Sequence, residues 1–176
     1  MIKFIKLFFI LVLGILLNSC SKTIYFTQDM RMNLHKNHIK LGEVQFYNSK
    51  KIALKRDISY EDTKVARGAI KLENGQLIEE LIIPKNTPGV TKSETGNVIN
   101  VAFESGRNRA IRFVLNDKNR YQISALVWEN GYGKIVYDTL VYFIEPKSAK
   151  ALLKVRKDNR YNFQKKVRKV KGLRVH

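Results

Sequence analysis

Four groups of residues have types and spacing that could do chemistry: a lone thiol, a close pair of histidines, two adjacent carboxylates and a long run of cations. The thiol is Cys20, the only cysteine in 176 residues. A single cysteine can be modified, but it cannot form a disulfide within the chain or build a cysteine metal site. His35 and His38 stand three apart, a spacing that on a helix can ligate a metal. No third ligand is indicated nearby and His176 is remote in sequence, so a surface pair is expected. Glu79 and Glu80 are neighbours in an apolar stretch. Successive strand residues face opposite ways, so the two carboxylates cannot serve one substrate together. Lys71, across a predicted hairpin, is the expected partner of one of them. Asp117-Lys118-Asn119 lacks the remaining oxygen ligands of a calcium loop and reads as a turn. No Ser-His-Asp set, Gly-rich phosphate loop or dinucleotide motif occurs. The residues therefore predict no catalytic group, no metal, no cofactor and no enzyme.

The stretch before Cys20 decides what its sulfur does. Lys3 and Lys6 precede an apolar run over 7–17, broken only by Gly14, and then come Asn18, Ser19 and Cys20. A positive start, an apolar core of roughly 7–15 residues and a small residue before the cut make a secretory signal. A membrane-spanning helix needs about 20 apolar residues, and no second run of this kind follows. Leu17-Asn18-Ser19-Cys20 resembles the lipobox of bacterial lipoproteins, and its loose form resembles those of the Bacteroidota. The resemblance covers only the first twenty-odd residues. It implies that Leu17 is the apolar recognition residue and Ser19 the small residue before the cut. It also implies that Cys20 becomes the new N-terminus, with diacylglyceryl on its sulfur and an acyl chain on its amine. Asn18 stands where the family usually has a small residue. Each buried methylene contributes about 0.8 kcal/mol and one chain alone holds marginally, so two or three chains would hold a domain on one leaflet. By the same resemblance, Ser21 in place of Asp implies the outer membrane. Lys22 and Thr23, in place of an acidic export signal, imply its periplasmic side.

The cations are unevenly spread. The formal charge is +18, and removing 1–19 takes Lys3 and Lys6 with it. From Lys147 onward there are twelve Lys/Arg and a single acid, Asp158. Such asymmetry argues for an anionic partner rather than for a fold. The expected contacts are Lys154, Arg156, Lys157, Arg160, Lys165, Lys166, Arg168, Lys169, Lys171 and Arg174, with Tyr161 and Phe163 as aromatic contacts. Beyond Gln164 the spacing of Val167, Val170, Leu173 and Val175 is too sparse for a core. Residues 165–176 are expected to be loosely ordered or to order on a partner. Cations interleaved with aromatics can bind nucleic acid, but the export signal argues against that. Anionic phospholipid, lipopolysaccharide or an acidic envelope protein is expected instead, and a merely solvated tail is the plain alternative.

The elements that must position these residues read as mainly β. Removing 1–19 leaves 157 residues, enough for one domain with a real core. Residues 20–27 read as a lipidated tether, 28–164 as the domain and 165–176 as the basic tail. Thr27 as N-cap, Asp29 in the first turn, Met30 and Leu34 on one face and Gly42 as a stop predict a helix over 28–40. Short strands follow around 44–46 and 52–54, then over 65–73 and 76–83 about Asn74-Gly75, the residue pair of a tight type I′ hairpin. Strands at 98–104, 109–115, 121–128 and 135–144 are joined by short polar loops, which predicts an antiparallel meander. The last of them is apolar on both faces apart from Asp138 and Thr139, and so is expected to be central. Trp128, near a strand end beside Tyr132, is expected in the core. Residues 84–97 read as the one long loop. With eight to ten strands and one opening helix, the chain is either an antiparallel β-sandwich or a meander barrel; alternation does not separate the two.

These readings combine into a non-enzymatic outer-membrane lipoprotein. It would be a periplasm-facing binding or accessory module of an envelope assembly, transport or secretion complex. The alternative is a β-barrel carrier of a lipid or other apolar ligand.

Overall fold

The computed structural model describes residues 23–58 and 68–157. The expected lipobox residues, the tail beyond Lys157 and part of the expected strand at 65–73 lie outside them. The described chain is mainly β, with two antiparallel sheets and one α-helix. It is a sandwich and not a closed barrel.

The strands, in chain order, are β1 (Thr23–Tyr25), β2 (Phe46–Asn48), β3 (Ile52–Ile58), β4 (Ala69–Glu73), β5 (Gln76–Ile83), β6 (Pro88–Thr95) and β7 (Val98–Ala102). There follow β8 (Ala110–Leu115), β9 (Tyr121–Ile123), β10 (Val127–Glu129), β11 (Tyr132–Tyr137), β12 (Leu140–Ile144) and β13 (Leu153–Arg156). A seven-stranded sheet runs in the order β1-β13-β2-β6-β7-β8-β9, and a six-stranded sheet in the order β10-β11-β12-β3-β5-β4. Isolated bridges between Thr27 and Arg120, and between Gln122 and Leu152, bring β9 back towards the β1 end. The larger sheet therefore curls strongly, as right-handed twist favours, without gaining the full ladder that closure needs.

The meander is real but local. β6 to β9 run as consecutive neighbours, as do β10 to β12. Elsewhere the chain changes sheet, and polar side chains pin these crossings. Asn48 is fully buried, and its Nδ2 donates to the carbonyls of Lys50 and Pro84, each at 2.7 Å. Ser49 Oγ accepts from the Leu152 amide at 2.8 Å, and Ser148 Oγ from the Ala53 amide at 2.9 Å. Backbone donors and acceptors buried at a break in the ladder must find such partners.

The helix α1 (Gln28–Lys36) begins as expected. Thr27 is extended and its side chain accepts from the Met30 amide at 3.3 Å. It ends earlier than Gly42. His38 takes a left-handed conformation (φ 58°), its amide bonds to the His35 carbonyl, and the Ile39 amide bonds to the Leu34 carbonyl. That is a Schellman closure, with Ile39 and Leu34 as its apolar contact. Sequence reading missed it because His replaces the usual Gly.

Core residues come from both sheets and from the helix: Phe26, Leu34, Phe46, Ile52, Leu54, Ile99, Phe113, Tyr121 and Ile144 are all fully buried. Phe26 packs edge-on to Phe46, with centroids 4.9 Å apart. Five expectations need correction. Residues 20–27 are not all tether, because Ile24 packs on the core and Phe26 lies within it. The long loop at 84–97 contains β6; its inward positions are Gly89 and Thr91, not large apolar residues, so it lacks a strand's signature. A Cβ on Gly89 would lie 2.7 Å from Val101 and 2.8 Å from Phe103, so larger neighbours fill its place. The expected strand over 134–144 is a hairpin turning at Asp138-Thr139, and 121–128 divides between the two sheets. Trp128 lies over Gly133 at an edge and is 40% exposed, not core.

Candidate functional site

Two of the expected cations that lie among the described residues, Lys154 and Arg156, fall on one surface. Val155 and Leu153 of β13 point into the core, which sends Lys154 and Arg156 outward. In register, Lys154 stands between Tyr25 of β1 and Tyr47 of β2. The Arg156 guanidinium lies 5.8 Å from the Tyr47 ring centroid, and that of Arg120 lies 4.4 Å from the Tyr25 ring. The result is a band of alternating cations and tyrosines across three strands. Tyr25 and Arg156 are exposed, and Tyr47, Lys154 and Arg120 are half-buried. Lys157 follows directly and is exposed. Cation–π contacts of this kind contribute about 0.5–1 kcal/mol at exposed sites. They hold the long basic side chains along the sheet, with their charge still accessible.

The band belongs to a wider asymmetry. In the strands of the seven-stranded sheet, Lys92, Arg112, Lys154 and Arg156 are the basic residues and Glu94 is the only acid. Glu94 is held by Arg31 of the helix at 2.7 Å. In the six-stranded sheet, Lys55, Arg56, Lys71 and Lys134 are outnumbered by Asp57, Glu73, Glu79, Glu80 and Glu129. Lys55 is itself engaged by Glu73 and Glu145, each at 3.0 Å. These carboxylates hold its ammonium pKa above the ordinary lysine value.

A second feature lies at one end of the sandwich, where the connections at 84–87 and 103–109 meet the turn at 138–139. A cavity of about 480 Å³ opens there. Phe103, Leu81, Tyr137 and Tyr142 contribute apolar surface, and Glu80, Glu104, Arg109 and Asp138 are its charged groups. Tyr137 donates to Glu104 at 2.8 Å. Burial, reinforced by that carboxylate, pushes the phenol pKa well above the ordinary value. Arg109 reaches Asp138 at 3.1 Å. The volume lies within the range of small-ligand pockets. The opposite end is closed by the helix, where Arg31 donates to Tyr121 at 3.0 Å and to the Gly96 carbonyl.

The weaker constellations resolve in structural terms. His38 lies beyond the end of the helix, and His35 stands 3.6 Å from Glu94. Among the described residues no group of three or more His, Cys, Asp and Glu is placed to hold a metal ion. Glu79 and Glu80 do point to opposite faces. Glu79 turns inward, accepting from Arg56 at 2.5 Å and from the Gly68 amide at 2.7 Å. Glu80 turns outward to Lys71, as the hairpin register allows. Asp117-Lys118-Asn119 is a turn closed by Asn116 Oδ1, which accepts from the amides of Lys118 and Arg120 at 3.1 Å each.

Leu17, Ser19, Cys20, Arg160, Tyr161, Phe163, Lys165, Lys166, Arg168, Lys169, Lys171 and Arg174 lie outside the described residues. Sequence reasoning missed Tyr25, Tyr47 and Arg120 as companions of Lys154 and Arg156. They come from segments far apart in the chain, and only the sheet order makes them neighbours. Comparisons with protein-family models, with curated proteins and with solved structures find no match to this chain.

Proposed function

We propose that this protein is a non-enzymatic lipoprotein of the outer membrane, lipidated at Cys20, whose sandwich faces the periplasm. It serves as a binding or accessory module in an envelope assembly, transport or secretion complex. An anionic partner is engaged by the basic C-terminal region, beginning with Lys154, Arg156 and Lys157. The observation that carries this reading is the band on β1, β13 and β2, where cations alternate with tyrosines on an acid-free stretch of sheet. A merely solvated basic segment has no need of such ordered partners. Deleting residues 165–176 tests it. The truncated protein is expected to lose affinity for its anionic partner while its thermal midpoint stays within about 2 °C, since those residues have too few apolar positions to add to a core. Unchanged binding rejects the tail as a contact.

A second reading keeps one observation in its favour. The end cavity has the size of a ligand pocket and a partly apolar lining, as a carrier of a molecule with an apolar part requires. Organic extraction of the protein purified from its own membranes, followed by mass analysis, decides it. A stoichiometric lipid other than that on Cys20 supports the carrier, and an empty extract rejects it.

A further inference from the structure

We propose that the outer face of the β1–β13–β2 corner is a membrane-docking face, and that its occupant is the anionic headgroup layer of the leaflet carrying the protein's own anchor. This rests on the lipoprotein reading above and deepens it by naming the partner and the orientation.

Reach places this edge at the bilayer. β1 begins at Thr23, three residues after Cys20. An extended chain spans at most about 3.6 Å per residue, so three residues reach no more than about 11 Å. The headgroup layer on each side of the hydrocarbon takes up about 5–8 Å of that distance. β1 is an edge strand of its sheet, so this edge must lie at the lipid surface. β13 and β2 follow it at about 4.8 Å per strand.

Charge favours the same face. The strands nearest that edge contain Lys154 and Arg156 and no acid. Arg120 adds a third cation above Tyr25. The sheet on the far side has more acids than bases. An anionic surface therefore attracts one broad side of the sandwich and not the other. Tyrosine suits the boundary between headgroup and hydrocarbon, with an apolar ring and a polar tip. Tyr25 and Tyr47 are spaced to sit there while the cations meet phosphates. The protein would then lie on its seven-stranded sheet, with the helix and the end cavity at the sides and the six-stranded sheet facing the periplasm.

The test is lysine footprinting of the protein purified from its own membranes and reconstituted into vesicles. One set contains phosphatidylcholine alone and the other adds phosphatidylglycerol. Two or three cations at an anionic surface, each contributing about fivefold, should slow acetylation of Lys154 by about tenfold or more in the anionic vesicles. Lys51 and Lys134, exposed on or beside the other sheet, should react alike in both. Salt at 0.5 M should abolish the protection, because the face is solvent-exposed. In the R120Q/R156Q variant, Lys154 should react equally in both vesicle types.

Equal reactivity of Lys154 in the two vesicles overturns the proposal. So does protection of Lys134, which would place the opposite sheet on the membrane. Protection of all three lysines alike would mean attraction without orientation, and it overturns the proposal as well. The mass of the Cys20 peptide in the same digest reports the anchor separately. If that peptide carries no lipid, the anchor reading fails. The docking face is then judged by whether Lys154 is still protected when the chain is added to anionic vesicles.

Discussion

Arg56 and Glu79 are a guanidinium and a carboxylate paired at 2.5 Å, the carboxylate fully buried and the guanidinium largely so. Burial alone would push the arginine toward neutrality, but Glu79, through its bond and its charge, together with Tyr142 outweighs it and leaves the Arg56 pKa above its ordinary value. Breaking a buried pair from one side typically costs about 3–5 kcal/mol, because the remaining charge keeps its desolvation penalty. Arg56→Met is therefore expected to lower unfolding stability by about 3 kcal/mol in urea titration, and the R56M/E79L double variant should recover much of that loss. A loss under about 1 kcal/mol in the single variant would show that water reaches the carboxylate. Glu80 gives a pH-dependent counterpart. Its bond to Lys71 holds the carboxyl below its ordinary value against the opposing effect of burial. A depressed carboxyl stabilises the fold above the unfolded-state pKa, and that stability is lost as pH falls through the folded-state pKa. The gap between wild type and Glu80→Gln should thus be full at pH 7 and shrink below about pH 4.5. Urea midpoints measured from pH 7 to pH 3 report it, and a constant gap would contradict the assignment.

At the scale of elements, the turns carry the clearest predictions. Asn74-Gly75 has φ of 50° and 79°, and open space surrounds the position of a Gly75 Cβ. Gly75→Ala should cost about 1 kcal/mol through backbone conformation alone. Asp138-Thr139 makes the same kind of turn, at φ 50° and 72°, with a β-branched residue in the second place. Thr139→Gly should therefore stabilise the protein by up to about 1 kcal/mol in thermal unfolding, and destabilisation would contradict a strained turn. The contrast between these turns explains what could be read from the sequence. Asn74-Gly75 announced its hairpin, whereas Asp138-Thr139 carries no glycine and its hairpin read as one long strand. That strand seemed apolar on both faces because Val136, Val141 and Phe143 point outward from the six-stranded sheet and remain exposed. Thr27 announced the helix start, but the stop at His38 depended on tertiary packing of Ile39 on the core. β6 stayed hidden because its core positions are filled by the side chains of its neighbours.

For the whole molecule, mainly-β character and antiparallel order were legible, since alternation and short loops are local properties. The choice of sandwich over barrel was not, because it depends on where the chain changes sheet. Buried Asn48 and Ser148 and half-buried Ser49 fix those crossings, and none of the three looks structural in sequence. Charge behaved the same way. The cations at 154–157 could be seen in the chain, but their union with Tyr25, Tyr47 and Arg120 needed β13 to run between β1 and β2. The account makes one chemical modification responsible for how that face meets its surroundings. Intact mass and N-terminal sequencing of the protein from its native membrane test it most directly. The account predicts a chain beginning at Cys20 whose mass exceeds the peptide by a diacylglyceryl group and, at most, one further acyl chain. A chain beginning at Met1, or a free thiol at position 20, would contradict it.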